Sequence, residues 1–277
     1  MSLTIENNIL MKNGKPFFYL ADTCWSAFTN IKDNDWDYYL DYRKSQGFNT
    51  LQINILPQWD ASATDLCYEP FEVIDGKYNY KKLNLSYFEH ADKMCARAKE
   101  KGFELALVIM WCNFVPDTWA SQFYSKGIMP IDCIDNYINI IHETFTKYEP
   151  LYIISGDTDF NTEQCIEYYV KCAKQIKELA PNCLYTTHIK GRYTYIPDNL
   201  YSYLDLCFYQ SGHNAQNLGM PYLLAEEMAD KYKGKPVINS EPCYEDMGYS
   251  RQMYGRWSKE DIIRAAWMSL LSGASAG

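Results

Sequence analysis

The sequence predicts an α/β protein, and more specifically a (β/α)8 TIM barrel, from three observations. Short apolar runs alternate with amphipathic stretches along the whole chain. These units recur every ~30–40 residues, which is typical of parallel strands joined by helical crossovers. The chain has 277 residues, close to the ~250 residues of such a barrel. An open doubly wound sheet is the alternative, but its usual GxGxxG or P-loop motif does not occur in the sequence.

The predicted strands are short apolar runs that end at polar residues or glycine. In chain order they are 17–21, 50–56, 105–111, 151–155, 184–188, 204–209, 236–240 and 273–277. The last run has the pattern of an eighth strand that is cut short. We therefore expect an eight-stranded barrel and leave open that it is truncated at the eighth strand.

Helices are predicted between these strands from apolar residues at 3.6-residue spacing. They lie around 36–43 and over 85–101, 130–147, 162–179, 222–232 and 263–270. A long loop is expected from Pro57 to about Lys82. Since no stretch rich in Pro, Gly or Ser divides the chain, we expect residues 1–277 to form one catalytic domain.

Composition excludes several classes of function. The net charge is −9, whereas binding to nucleic-acid phosphates requires a basic surface. No apolar run reaches the ~18–20 residues that span a bilayer, so no membrane or nucleic-acid partner is expected, and the oligomeric state is left open. The chain contains 25 Tyr and 7 Trp, whose flat apolar faces suit sugar rings. The alternative interpretation is that these aromatic residues only pack the protein.

The cysteines and histidines argue against disulfide and metal frameworks. Ten cysteines occur without any CxxC pair, which favours free thiols in a reducing compartment. No hydrophobic signal segment precedes Phe17, so we expect a cytoplasmic protein, although Met1-Ser2-Leu3 leaves open that a native leader was removed. The four histidines form neither HxH nor HExxH, and no metal or other cofactor is expected.

Polar residues end the predicted strands at the barrel mouth, where barrel enzymes keep their reactive groups. These residues are Asp22, Asn54, Asn113, Asp157, His188, Tyr209 and Glu241. Residues two apart share one face of a strand. Three polar pairs have this spacing: Gln52 with Asn54, Ser155 with Asp157, and Asn239 with Glu241.

Asp157 and Glu241 are the strongest candidates for catalysis. They end the fourth and seventh predicted strands, which face each other across the mouth of an eight-stranded barrel. Glycosidic bond cleavage requires two such carboxyl groups, one protonated and the other ionised. The alternative interpretation is that Asp157 caps the next helix and Glu241 pairs with a buried arginine. Asp159 competes with Asp157 for the acid role, although we expect Asp159 to cap the helix near Thr162.

Aromatic and polar residues near these strand ends are candidates for binding the sugar. The aromatic candidates are Trp25, Trp59, Trp111, Phe114, Tyr209 and Tyr244, and the hydrogen-bonding candidates are Asp22, Asn54, Asn113, His188 and His213. Lys190 follows the fifth strand and would allow Schiff-base chemistry. We expect it instead to be a solvated loop lysine beside Arg192.

Four segments resemble the apiosidase-like glycoside hydrolases, namely family 140 and its relatives. They are Gly14–Trp25, Gly47–Asp60, Ser155–Phe160 and Asn239–Glu245. The resemblance implies a retaining barrel glycosidase acting on side chains of plant or microbial polysaccharides. It also implies that Asp157, in Ser155-Gly156-Asp157 where the family has Gly-Gly-Asp, is the acid/base and that Glu241 is the nucleophile. A sugar-binding barrel without catalytic activity is the alternative.

Overall fold

The computed structural model describes residues 3–59, 68–250 and 254–277. Its strands are β1 (Leu3–Glu6), β2 (Ile9–Lys12), β3 (Lys15–Pro16), β4 (Ala21–Thr23), β5 (Thr50–Asn54), β6 (Phe71–Ile74), β7 (Lys77–Leu83), β8 (Glu104–Trp111), β9 (Leu151–Gly156), β10 (Leu184–Thr186), β11 (Cys207–Tyr209), β12 (Val237–Asn239) and β13 (Ser275–Ala276). Its helices are α1 (Ala27–Asn30), α2 (Asp33–Ser45), α3 (Leu85–Glu100), α4 (Ile134–Phe145), α5 (Glu163–Leu179), α6 (Asp198–Tyr201), α7 (Met220–Lys231) and α8 (Lys259–Leu271).

Eight of these strands are parallel, and each overlaps one of the predicted apolar runs, although β4 overlaps the run 17–21 only at Ala21. Five form a sheet in the order β10-β9-β8-β5-β4, and three form a second sheet in the order β11-β12-β13. Helices lie between successive parallel strands. The prediction of an α/β protein with a parallel sheet is therefore confirmed, while the ladders of the described residues form two sheets and not one closed ring.

Contacts nevertheless join the two parallel sheets at both edges. Leu20, just before β4, forms a parallel bridge with Ala276 in β13. At the other edge the backbone N–H of Asp205, just before β11, donates to the carbonyl of Tyr185 in β10 at 2.8 Å. The two sheets are therefore in contact at both of their outer edges.

The central strands are buried on both faces, as expected for parallel strands covered by helices. Every residue of β5, β8 and β9 is buried. The covering helices present apolar faces, and α5 begins at Thr162, whose side chain accepts a hydrogen bond from the N–H of Cys165. This arrangement fixes the carboxyl ends of the strands, where the candidate residues lie.

Two antiparallel elements were not predicted. Strands β1, β2 and β3 form a small sheet, and β6 and β7 form a hairpin within the expected loop over 57–82. Asp75 and Gly76 connect the hairpin with φ of 50° and 77°, the geometry of a type I′ turn that the dipeptide Asp-Gly favours. Residues 60–67 of the expected loop lie outside the described part of the chain.

Several general findings hold for the described residues. Nine of the ten cysteines are described, and all nine are free thiols. No described helix is both long and apolar enough to cross a membrane. Among the same residues, no group of three or more His, Cys, Asp or Glu side chains is arranged to hold a metal ion.

Candidate active site

Glu241 lies two residues after β12, and three side chains surround its carboxylate. His213 Nε2 lies 3.0 Å from Oε1, and the Tyr244 hydroxyl donates to the same oxygen at 2.8 Å. His188 Nε2 lies 3.0 Å from Oε2. The side chain of Glu241 is only 8% exposed, so it is buried among hydrogen-bond donors.

Burial by itself raises the pKa of Glu241, but hydrogen bonds from His188 and His213 outweigh burial. The net result is a pKa held well below the usual value of 4.5 for glutamate. Glu241 is therefore ionised at neutral pH. The expected alternative, in which Glu241 pairs with a buried arginine, is wrong because the carboxylate faces two imidazoles and a phenol.

Asp157 follows the last residue of β9 and adopts a left-handed backbone with φ of 49°. Its backbone N–H donates to His188 Nδ1 at 3.2 Å, and its carbonyl accepts from Trp119 Nε1 at 2.8 Å. Aspartate is one of the few residues that adopt this conformation without large cost. Because of this turn, the direction of the Asp157 side chain does not follow the alternation of side chains along β9.

The pKa of Asp157 is raised well above 3.8. Burial is the largest cause, and the negative charge of Glu241 adds to it, whereas Lys190 acts in the opposite direction. The two predicted carboxyl groups therefore interact electrostatically, and their pKa values move in opposite directions. The alternative helix-capping role of Asp157 is wrong because Thr162 caps α5.

Asp159 and Lys190 form a separate ion pair beside this turn. Lys190 Nζ lies 2.8 Å from Asp159 Oδ2. The expected capping role of Asp159 is also wrong, because Thr162 caps α5. Burial lowers the pKa of Lys190, but the hydrogen bond and charge of Asp159 raise it, and the net pKa lies above 10.5. A protonated amine of this kind is a poor nucleophile for Schiff-base chemistry.

Two predicted tryptophans enclose the His188 ring. The ring centroids of Trp25 and Trp111 lie 5.4 Å and 5.5 Å from that of His188, and they lie 5.2 Å from each other. Trp111 also covers Gly156, where an added Cβ would lie 2.1 Å from Cε3 of the indole. Because the indole lies so close, only glycine fits at position 156, between Ser155 and Asp157.

Gln52 is the centre of a hydrogen-bond network that reaches Ser240, the residue before Glu241. Gln52 Nε2 donates to Thr23 Oγ1 and to the carbonyl of Ser240, both at 2.8 Å, and Tyr19 donates to Gln52 Oε1 at 3.1 Å. Asn54 follows Gln52 on the same face and is 2% exposed, and neither of its amide atoms has a hydrogen-bond partner among the described residues.

A second aromatic cluster lies on the Asp157 side. The ring centroid of Trp59 lies 5.3 Å from that of Trp119 and 6.4 Å from that of Phe123, which is 69% exposed. Trp119 is the residue that donates to the Asp157 carbonyl. Trp59 therefore belongs to an aromatic cluster that contacts the turn at Asp157 through Trp119.

Two predicted binding residues, Asp22 and Tyr209, are not brought to the carboxyl pair. The Asp22 carboxylate accepts from Tyr39 and lies 2.7 Å from Arg43 Nε, both in α2. The Tyr209 hydroxyl donates to the carbonyl of Pro221 in α7 at 2.6 Å. Each side chain therefore points to the helical layer. Alternate residues of a strand face opposite sides, and Asp22 and Tyr209 are at positions that face the helices.

Asn113 and Asn239 also differ from expectation. Asn113 is fully buried, and its Nδ2 lies 3.4 Å from the carbonyl of Pro57, where it holds a loop. Asn239 Nδ2 donates to Ser269 Oγ in α8 at 3.0 Å. Asn239 therefore does not share the side of Glu241, because β12 ends at Asn239 and the chain turns before Glu241. Phe114 likewise packs on Tyr80 and Tyr124.

Sequence reasoning missed Thr23 and Trp119. Thr23 lies on the same face as Ala21 and Trp25, and period-two alternation along β4 was a signal that favoured Thr23 over Asp22. Trp119 lies far from any strand end, in the turns after β8. Its contact with the Asp157 carbonyl depends on how that loop folds back, and the sequence has no local signal for it.

A parallel α/β fold and a pair of carboxyl groups whose pKa values are shifted in opposite directions are typical of enzymes that use two carboxyl groups in acid/base chemistry. The sequence matches the family model described as apiosidase-like, catalytic domain, over residues 5–277. The chain belongs to this family, which confirms the resemblance noted in the sequence.

Several solved structures have a similar fold. A glycoside hydrolase family 5 protein from Bacteroides vulgatus ATCC 8482 has a TM-score of 0.82 at 24% identity, with 100% of this chain and 62% of that chain covered. A structure titled glycoside hydrolase has a TM-score of 0.78 at 24% identity, with 100% and 64% covered. The endo-1,4-beta-mannanase from Rhizomucor miehei has a TM-score of 0.64 at 14% identity, with 100% and 90% covered.

At these identities the similarity shows the fold. The chain spans less than two thirds of the length of the first two structures. No curated protein matches the sequence.

Proposed function

We propose that the protein is a retaining O-glycoside hydrolase, with Glu241 as nucleophile and Asp157 as general acid/base. The observation that carries this proposal is the opposite direction of the two pKa shifts. A retaining enzyme requires one carboxyl group that holds a proton and one that is ionised, both near neutral pH. The prediction of a glycosidase is supported by the family match and by the glycoside hydrolase structures.

The chemistry proceeds in two steps. The Glu241 carboxylate attacks the anomeric carbon while Asp157 gives its proton to the leaving glycosidic oxygen, and a covalent glycosyl-enzyme forms. Asp157, now ionised, then takes a proton from water, which attacks the same carbon and releases Glu241. This route requires carboxyl groups ~5–5.5 Å apart, whereas an inverting route requires ~6.5–9.5 Å.

The proposed substrate is an oligosaccharide or polysaccharide of plant or microbial origin. Trp25 and Trp111 next to His188, and Trp59 on the side of Asp157, offer aromatic faces to sugar rings. The unpartnered amide of Asn54 offers both a donor and an acceptor to a sugar hydroxyl. The mannanase among the similar structures acts on a polysaccharide, which favours the same broad class of substrate.

We also infer that the eight parallel strands close into a (β/α)8 barrel. The bridge from Leu20 to Ala276 and the hydrogen bond from Asp205 to Tyr185 support closure at the two edges. Gln52 also supports it, because its side chain extends from β5 to the carbonyl of Ser240 after β12. In a closed barrel Asp157 and Glu241 follow strands four and seven of the eight, at the C-terminal face where barrel enzymes have their active sites.

The test compares wild type with Glu241→Gln and Asp157→Asn on a panel of aryl glycosides and pectic oligosaccharides. Glu241→Gln is expected to lose at least ~10³-fold in kcat because the amide cannot act as the nucleophile. Asp157→Asn is expected to retain most of the rate of the glycosylation step on dinitrophenyl glycosides, because their leaving group needs no proton.

Two results would reject these assignments. Wild-type turnover by Glu241→Gln excludes the nucleophile role. Sugar binding without hydrolysis of any panel member by the wild-type protein favours the non-catalytic alternative. NMR of the first-formed anomer separates retention from inversion.

A further inference from the structure

His188 contacts both carboxylic residues of the proposed mechanism, although it is itself fully buried. Its Nδ1 accepts the backbone N–H of Asp157 at 3.2 Å, and its Nε2 lies 3.0 Å from Glu241 Oε2. An imidazole nitrogen that accepts a hydrogen bond carries no proton. The Asp157 amide therefore places the ring proton of His188 on Nε2, on the side of Glu241.

The backbone and ring of His188 are both held firmly. Its N–H donates to the carbonyl of Ser155 at 3.2 Å, and Ser155 Oγ donates to the carbonyl of His188 at 3.1 Å. Trp25 and Trp111 pack against the ring. A ring held in this way orients the groups that its two nitrogens contact, namely the Asp157 backbone and the Glu241 carboxylate.

We propose that His188 is a positioning residue for both carboxyl groups, with Nδ1 holding the left-handed turn of Asp157 and Nε2 in contact with Glu241. The proposal rests on the proposed function. A sugar-binding role, which the sequence suggested for His188, would leave the ring free to meet a ligand. Instead both nitrogens face protein groups, and no part of the side chain is exposed.

The contact with Glu241 is oblique to the Nε2–H bond, while its length of 3.0 Å is that of a hydrogen bond. Contacts of catalytic groups in an enzyme without substrate are often poorly aligned and tighten when substrate binds. The groups that face the Glu241 carboxylate besides His188 are His213 and Tyr244. The charge of Glu241 in turn raises the pKa of Asp157.

Two amide substitutions separate the two contacts. In His188→Asn the amide oxygen takes the place of Nδ1 and accepts the Asp157 N–H, but nothing reaches Glu241. In His188→Gln the amide nitrogen takes the place of Nε2 and donates to Glu241, but the acceptor for Asp157 is lost. His142→Asn is the matched control, because His142 lies in α4 and contacts Thr146.

The measurement is kcat/KM across aryl glycosides whose leaving groups differ in pKa. His188→Gln is expected to show a steeper dependence on the leaving group, with losses ~10-fold larger for poor leaving groups than for dinitrophenol, because Asp157 is misplaced. His188→Asn is expected to lose a similar factor, ~10–100-fold, for every leaving group and to move the acidic limb of its pH profile upward by ~1–2 pH units. The control retains the wild-type dependence.

Equal dependence on the leaving group in both variants and wild type overturns the positioning role. If both amide variants fail to fold, Ser155→Ala is measured in their place. It loosens the backbone of His188 and is expected to steepen the dependence, while a wild-type slope overturns the proposal. Turnover that survives Glu241→Gln rejects the proposed function itself, so the two failures are distinguishable.

Discussion

The Trp25 indole N–H donates to the hydroxyl of Tyr244 at 3.1 Å, although the two residues are 219 positions apart in the chain. Tyr244 in turn donates its own proton to Glu241 Oε1. Because the Tyr244 oxygen accepts from Trp25, the hydroxyl proton of Tyr244 is directed to the Glu241 carboxylate. A loop after β4 and a loop after β12 thus orient Glu241, the proposed nucleophile.

Tyr244→Phe is expected to lower kcat ~10–100-fold with a smaller effect on KM. The substitution removes a hydrogen bond to a charged group, which contributes ~1.5–3 kcal/mol, and the pKa of Glu241 is expected to rise. Steady-state kinetics on an aryl glycoside measures the loss. Tyr148→Phe is the control, since Tyr148 makes the same type of bond to Asp92, at 2.6 Å, away from the site. Equal losses in the two variants would contradict a specific role for Tyr244.

The pH profile of kcat/KM is expected to be bell-shaped. Activity rises as pH increases through the pKa of Glu241, which lies below 4.5, and falls as pH increases through the pKa of Asp157, which lies above 3.8. Asp157→Asn is expected to lose the basic limb on a dinitrophenyl glycoside. A basic limb that persists in this variant would assign it to another group.

Gly156→Ala is expected to destabilise the fold by ~1–3 kcal/mol, the usual cost of overpacking, and to lower activity. The new methyl group would overlap the Trp111 ring that packs on His188. Thermal unfolding and kinetics measure the two effects. Gly248→Ala is the matched control, because an added Cβ there meets no atom within 4 Å. Partial recovery in Gly156→Ala combined with Trp111→Leu would show that the indole causes the clash.

Asp22→Asn is expected to reduce stability by ~1–3 kcal/mol and to leave KM within ~2-fold of wild type. The substitution removes the charge partner of Arg43, and the pair is partly buried, with side chains 15% and 32% exposed. Denaturant unfolding together with KM for an aryl glycoside decides the outcome. A large increase in KM at unchanged stability would return Asp22 to the sugar site.

Tyr209→Phe is expected to act in the same way, because its hydroxyl bonds Pro221 and Ser269 in the helical layer. Loss of a buried hydrogen bond costs ~1–3 kcal/mol when a partner is left unsatisfied. Unfolding measurements are compared with kcat/KM. A kinetic loss without a loss of stability would contradict the outward orientation of Tyr209.

Periodicity predicted most of the fold because each parallel strand is an apolar run and each helix has an apolar stripe. The run 105–111 becomes β8 and the stretch 162–179 becomes α5 with changes of one residue at an end. The hairpin of β6 and β7 was missed, although Asp75-Gly76, followed by the alternating Tyr78 and Tyr80, carried its signal. The small sheet of β1, β2 and β3 was missed because its strands are too short for a clear pattern.

The sequence by itself determined that the chain is an α/β protein with acidic residues after its fourth and seventh parallel strands, since burial and alternation are written in the order of apolar residues. It did not determine which way a side chain points where a strand stops. Only the tertiary structure decided that Asp22 and Tyr209 face helices, and that His188 joins Asp157 to Glu241. The physical reason is that strand alternation ends with the ladder, and beyond it turns and distant partners set each orientation.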